Sequence, residues 1–302
     1  MSLYKAFGLI IDSEIELPLL PTAKPDTQPK NPLIKILINK NLRLPKEYKK
    51  TITFTKVDSS IAIYYRKSIG IFNISKRRII FKPESLHNLD DINRVICGLP
   101  AGYLLMLNSY LVFHASAVSG KKYNIIFCGK SATGKSTITG ELIEKGYKFI
   151  TEDICAIKNN ILPVSYPYIK LSNIKGSESF LFSDKKIDYP TDSLDRNGYK
   201  IKDRFIASPN SKKKICYIFL KDKSLKIERL STNNAIKYLF KNTFKSHPIY
   251  LDVDYTRYIL KKIAKFAQET NVYAVYYNEN SFEKRNRLII KHLEDLNDQS
   301  KS

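Results

Sequence analysis

The chain has 302 residues, of which 51 are lysine or arginine and 29 are acidic, for a net charge of +22 with 43% hydrophobic and 12% aromatic side chains. That length and apolar content suffice for a buried core in one large domain or two, and exclude a largely unfolded chain. The positive balance favours phosphates, nucleic acid or acidic peptides as partners. No arginine run or basic–aromatic repeat marks a nucleic-acid groove, so the charge reads as a lysine-rich solvated surface.

Near the N-terminus, Asp12, Glu14 and Glu16 interrupt the apolar core that a signal peptide needs. Residues 33–38, 61–65 and 78–81 are apolar runs between turn formers and read as strands, so residues 1–88 are expected to form a small β-rich domain. The stretch 20–32 reads as an exposed loop rich in Pro, Asp, Thr and Asn. A helix is expected from Asp90 or Asp91 to about Asn108, broken or kinked at Gly98 and Pro100. The apolar run 101–113 is interrupted by Asn108 and Ser109 and is too short to span a bilayer.

Strands are expected at 111–115, 124–128, 148–151, 154–157, 161–164, 215–220 and 272–277, with helices at 136–145, 233–242, 255–270 and 281–296. Residues 172–214 are polar and basic and read as a mobile surface segment beside the site. Cys97, Cys128, Cys155 and Cys216 form no CxxC pair, and three lie in apolar stretches. They read as small core residues in a reducing compartment. The expectation is a cytoplasmic α/β protein with no membrane partner, its main domain spanning 89–302.

Gly129-Lys130-Ser131-Ala132-Thr133-Gly134-Lys135-Ser136 fits the phosphate-loop pattern GxxxxGK[ST] in full, between an expected strand and an expected helix. Without a Cβ, Gly129 and Gly134 let the backbone turn tightly and approach an anion. The loop N–H groups and the helix N-terminus, through Thr137, then face phosphate with partial positive charge. Lys135 would reach the β- and γ-phosphates of ATP, and the Ser136 hydroxyl would ligate Mg²⁺.

Phosphoryl transfer to a hydroxyl also needs a group to take the proton. Asp153, eighteen residues beyond Lys135 at the end of the next strand, is the candidate. If that strand and the loop strand are parallel neighbours, both end at the ligand-binding edge. Glu152 and Asp153 then divide metal binding and base between them, Glu152 either pointing away from Asp153 or turning with the loop. His114, in an otherwise apolar strand, is either a core histidine or a third member of the site. Arg204, near Lys200 and Lys202, is the candidate cation for the transferring phosphoryl group.

His114, the loop and Glu152-Asp153 together resemble the catalytic core of the HPr kinase/phosphorylase family, which phosphorylates a serine on a phosphocarrier protein. The resemblance implies an α/β P-loop kinase core of the HPr kinase type behind the smaller N-terminal domain. It implies Asp153 as proton acceptor, Lys135 and Ser136 on phosphate and Mg²⁺, and His114 supporting the acid.

The chain is further similar to HPr-kinase-like proteins that phosphorylate the C-terminal serine of lasso-peptide precursors. The shared segments are Tyr4-Lys5-Ala6-Phe7-Gly8-Leu9, the FHASAV run 113–118, the YPYIKL run 166–171 and NTFKSHP at 242–248. That likeness implies a peptide or protein substrate bearing a serine, and the family's hexamers admit a homo-oligomer. Two departures stand out. Glu152 replaces the first of two aspartates, which shifts the charge by about one methylene, and Lys170 lies near where a metal-binding glutamate would fall, so the reverse reaction is not expected; the signature segment that follows the acidic pair in true HPr kinases is also missing, so HPr is not the expected substrate.

Three other classes compete, one of them a small-molecule kinase, which acceptor screening would distinguish. Thr55-Lys56-Val57-Asp58 fits TKxD and Asp195-Arg196-Asn197-Gly198 fits DxxG, an order that would suit a circularly permuted GTPase. Against it, residues 191–195 are polar, where DxxG should follow a buried strand. A nucleotide-binding regulatory module without transferase activity is the reading that the Glu152 departure admits. The reading adopted is an ATP- and Mg²⁺-dependent serine kinase.

Overall fold

The structure, a computed structural model, describes residues 2–23, 33–43, 52–56, 61–66, 69–84, 89–171, 181–187, 197–244 and 253–298. It divides into two compact units. One is Met1–Val112 with Ala156–Asn159 and Phe244–Tyr258; the other is Phe113–Cys155 with Asn160–Thr243 and Ile259–Ser302. Among the described residues, no helix is long and apolar enough to cross a membrane.

The first unit holds β1 (Ser2–Ala6), β2 (Leu9–Ser13), β3 (Leu33–Ile38), β4 (Ile52–Lys56), β5 (Ile61–Arg66), β6 (Gly70–Ser75) and β7 (Arg78–Pro83). They form one sheet in the order β1-β2-β3-β7-β6-β5-β4. In β3, Ile34 and Ile36 are buried and Leu33 and Lys35 are exposed, as the two faces of a pleated strand require. Phe72 and Phe81 stack at 4.5 Å across β6 and β7.

Next come α1 (Leu89–Cys97), α2 (Leu99–Leu107) and β8 (Leu111–Phe113). The helix breaks at Gly98, and Pro100 sits in the first turn of α2, where a missing N–H costs nothing. The division falls after Val112, not at residue 88, because α2 contacts β6 and β7 and so belongs with the N-terminal sheet.

The chain continues through β9 (Ala115–Ser119), β10 (Tyr123–Cys128), α3 (Lys135–Glu144), β11 (Lys148–Thr151), β12 (Cys155–Ile157) and β13 (Tyr168–Leu171). Then follow β14 (Phe182–Ile187), β15 (Asn197–Ile201), β16 (Lys213–Lys221), β17 (Lys226–Arg229), α4 (Thr232–Lys241), α5 (Val253–Glu269), β18 (Thr270–Tyr277) and α6 (Phe282–Asp298). The main sheet of the second unit has the order β11-β9-β10-β16-β18-β17. Its core includes Phe127, Ile138, Leu142, Phe149, Tyr217 and Ile289.

Two expectations need correction. Residues 161–164 form no strand; Leu162 makes an isolated bridge to Asn210. Within 172–214, β14 and β15 join β13 in a three-stranded antiparallel sheet, with Ile201 and Phe182 buried. Its polar residues hid short strands whose apolar members are few but inward. All four cysteines are buried and free.

Strand direction positions the site. The loop strand β10 and the acid-bearing strand β11 are not neighbours. β9 lies between them and is antiparallel to both, pairing Ala115 with Cys128 and Ala117 with Thr151. β10 and β11 therefore point the same way, and β9 starts where they end. The residues after Cys128, those after Thr151 and the residue before Ala115 share one edge of the sheet.

Candidate active site

The loop between β10 and α3 is bent by backbone chemistry that its sequence permits. Gly134 takes φ 76° and Ala132 φ 63°, both left-handed. A Cβ on Gly134 would stand 2.7 Å from Arg285 Nη2, so glycine is required there twice over. The Thr133 hydroxyl donates to the Lys130 carbonyl at 2.8 Å and closes the turn.

Lys135, buried at the start of α3, folds its ammonium back over the loop. It donates to the carbonyls of Gly129 and Lys130, each at 2.9 Å, and lies 3.3 Å from His114 Nε2. An ammonium only donates, so Nε2 accepts and the imidazole is neutral with its proton on Nδ1. Burial and then the Lys135 charge push His114 down to about 4, against a smaller upward pull from Asp153. His114 sits at the break between β8 and β9 rather than inside one strand, and its own N–H donates to the Asn242 carbonyl at 2.9 Å.

The two acids leave β11 through a tight turn. The Ile154 N–H donates to the Glu152 carbonyl at 2.8 Å, a three-residue turn with Asp153 at its centre at φ 64°. Turns of this positive-φ kind are strained and rare outside sites that use them. A register shift between Phe149 and Thr151 adds a local irregularity just before it. Of the two orientations open to Glu152, it turns with the loop. Its Oε1 accepts from Ser136 Oγ at 2.5 Å and its Oε2 accepts the Lys170 N–H at 3.2 Å.

Asp153 Oδ2 pairs with the ammonium of Lys170 on β13. Burial alone would raise the Asp153 carboxyl. The Lys170 ammonium, with His114 and Lys135 behind it, outweighs that and holds the group well below the usual carboxylate range.

These side chains surround a cavity of about 390 Å³ lined by Ser131 to Ser136 and Thr137, with His114, Asp153 and Lys170 and, from α6, Phe282, Arg285 and Asn286. Arg204 is not among them. It lies on a single 3₁₀ turn whose Arg204 carbonyl accepts from Lys148 Nζ at 2.6 Å, and its guanidinium stacks on Phe205 at 4.8 Å. Lys148 opens β11, about 10 Å of strand rise from the end that carries the acids.

Sequence reasoning missed Arg285 and left Lys170 without a role. Arg285 is wholly buried, at 0% exposure. Its Nη1 donates to the Thr133 carbonyl at 2.5 Å, its Nε and Nη2 donate to Asn286 Oδ1, and it lies 4.3 to 4.9 Å from the rings of Phe219, Tyr277 and Phe282. Burial lowers its pKa to about 10, which leaves the guanidinium charged at neutral pH. Its signal was its place one helical turn before Ile289 and two before Leu293, on the inward stripe of α6. For Lys170 the signal was a lone lysine between the buried Ile169 and Leu171.

Comparison with known proteins adds little. No family model and no curated protein matches the chain. Among solved structures, the Hpr(Ser) kinase/phosphatase from Coxiella burnetii is similar over 62% of this chain and 98% of that one, at 14% identity and a TM-score of 0.30. A likeness that slight carries no argument.

Ser136 and Glu152 fit a small hard cation. Their oxygens lie 2.5 Å apart, and opening them to about 2.9 Å would give the separation of adjacent ligands around Mg²⁺. Among the described residues no cluster of three or more His, Cys, Asp or Glu could hold a metal alone, so such an ion would need phosphate oxygens or water to complete its shell. Asp58 of the TKxD match and Asp195 of the DxxG match lie outside the described residues; Thr55 and Lys56 fall in β4.

Proposed function

We propose that this protein is an ATP- and Mg²⁺-dependent phosphotransferase that passes the γ-phosphoryl group to a serine hydroxyl of a peptide or protein. One observation carries the reading. Residues 131–136 of the phosphate loop and Asp153 on its strained turn line one cavity at one sheet edge, and Ser136 of that lining holds Glu152, the other half of a hydroxyl–carboxylate pair fit for Mg²⁺.

The loop N–H groups and Lys135 would bind the β- and γ-phosphates, Lys135 exchanging loop carbonyls for phosphate oxygens. Ser136 and Glu152 would hold Mg²⁺, which when bound neutralises charge between the β- and γ-phosphates. Asp153 would accept the acceptor's proton as the serine oxygen bonds to the γ-phosphorus and the bond to the bridging oxygen breaks, releasing ADP. Neutral His114 lies between Lys135 and the Asp153 turn and would hold both in register.

The serine and peptide classes rest on the sequence resemblance, which points to the C-terminal serine of a lasso-type precursor. Incubation with γ-labelled ATP, Mg²⁺ and serine-bearing precursor peptides tests the proposal. Label on a serine, absent with Asp153→Asn, supports it; tight ATP binding with no transfer to any hydroxyl favours a binding module instead.

A further inference from the structure

We infer that Lys170 is the cation that receives the transferring phosphoryl group, and that its pairing with Asp153 is the resting position from which it moves. The inference rests on the phosphotransferase reading above. Among the described residues, three basic side chains line the cavity, Lys135, Arg285 and Lys170, and their partners differ in kind. Lys135 donates to carbonyls of the loop itself, and Arg285 is wholly buried against the Thr133 carbonyl and three rings. Lys135 would leave those carbonyls only for the phosphates that the same loop cradles, and Arg285 is tied to the frame of the loop.

Lys170 instead gives its ammonium to the Asp153 carboxylate. A terminal phosphate carries the same sign of charge as that carboxylate and more of it, so it competes for the ammonium directly. The base of the side chain stays put meanwhile. Ile169 and Leu171 are buried on either side, Lys170 pairs with Gly198 of β15, and its N–H holds Glu152.

The exchange has two consequences at the reacting atoms. The ammonium meets the negative charge that the three phosphoryl oxygens share as the bridging bond breaks. It also vacates Asp153 Oδ2, the position at which a serine hydroxyl would donate. The position foreseen for Arg204 is thus filled from β13, on the strand-end side of the sheet where the loop lies.

The test compares equilibrium affinities of the full chain for ATP and for ADP, with Mg²⁺, in wild type, Lys170→Met and Lys170→Arg. A cation that meets the γ-phosphate contributes to ATP and not to ADP. Lys170→Met is expected to cut the ATP-over-ADP preference about tenfold, or about 1.4 kcal/mol, while ADP affinity stays within about twofold. Lys170→Arg is expected to keep most of the preference. If Lys170→Met does not fold, Lys170→Gln takes its place and is read the same way.

An unchanged preference, with wild type binding both nucleotides, overturns the role of Lys170 and leaves the phosphotransferase reading standing. If wild type binds neither nucleotide, both fall.

Discussion

Ser136 and Glu152 are joined oxygen to oxygen at 2.5 Å, linking the first turn of α3 to the turn that ends β11. The contact sets a hydroxyl and a carboxylate side by side at the mouth of the phosphate loop, where a divalent cation would need them.

Glu152→Gln keeps the shape of that pair and removes its charge. The Mg²⁺ concentration for half-maximal transfer is expected to rise on the order of tenfold, the scale on which groups that hold a metal act. ATP affinity in the presence of EDTA is expected to stay the same. A Mg²⁺ titration of activity, beside calorimetry in chelator, measures both.

Lys135→Ala is expected to abolish nucleotide binding or turnover, because among the described residues no other ammonium is seated on the loop carbonyls in that way. Asp153→Asn is expected to retain most nucleotide affinity and to lose transfer by roughly 10²- to 10⁴-fold, the range of general-base catalysis. His114→Ala is expected to slow transfer less than Asp153→Asn. Full turnover in Asp153→Asn would remove that residue from the chemistry.

Gly134 and Arg285 constrain each other, since a Cβ on the glycine meets the guanidinium. Gly134→Ala strains a positive φ and displaces Arg285. Arg285→Ala leaves a void among Phe219, Tyr277 and Phe282 and frees the Thr133 carbonyl. Each is expected to cost about 2–4 kcal/mol in denaturant unfolding and to weaken ATP binding. Unchanged midpoints would show that the loop does not depend on α6.

His114 gives stability a pH dependence of known sign. It is held down to about 4 in the fold against an ordinary 6.5, so between those values the unfolded chain binds more protons. Its contribution is complete above about pH 6.5 and is lost as pH falls toward 4, by on the order of 3 kcal/mol at most. Asp153, also depressed, adds to the loss below its ordinary 3.8. His114→Gln is expected to flatten the unfolding free energy between pH 4 and 6.5; an equal slope in the variant would assign the dependence elsewhere.

Much of the second unit was legible from local pattern. The loop declared itself by spacing, β10 and β16 by apolar runs, and α6 by its stripe. β14 and β15 were not, because short strands in a polar segment depend on what they pair with rather than on their own composition. Arg204 looked equal to any other cation in its segment. Only the fold shows that it stands at the start of β11 while the acids stand at the end.

By itself the sequence determined that this chain carries a phosphate loop with a lysine and a serine at its helix end, and that two acids follow one strand later. Backbone conformation and short-range spacing are properties of neighbouring residues, so they can be read in a line. The tertiary structure alone decided that β9 runs between the two strands, that Glu152 turns toward Ser136, and that Lys170 and Arg285 complete the cavity. Those facts depend on strand direction and on side chains brought from 17 and 152 residues away, and a local pattern can show that such a side chain points inward but not which distant group it meets.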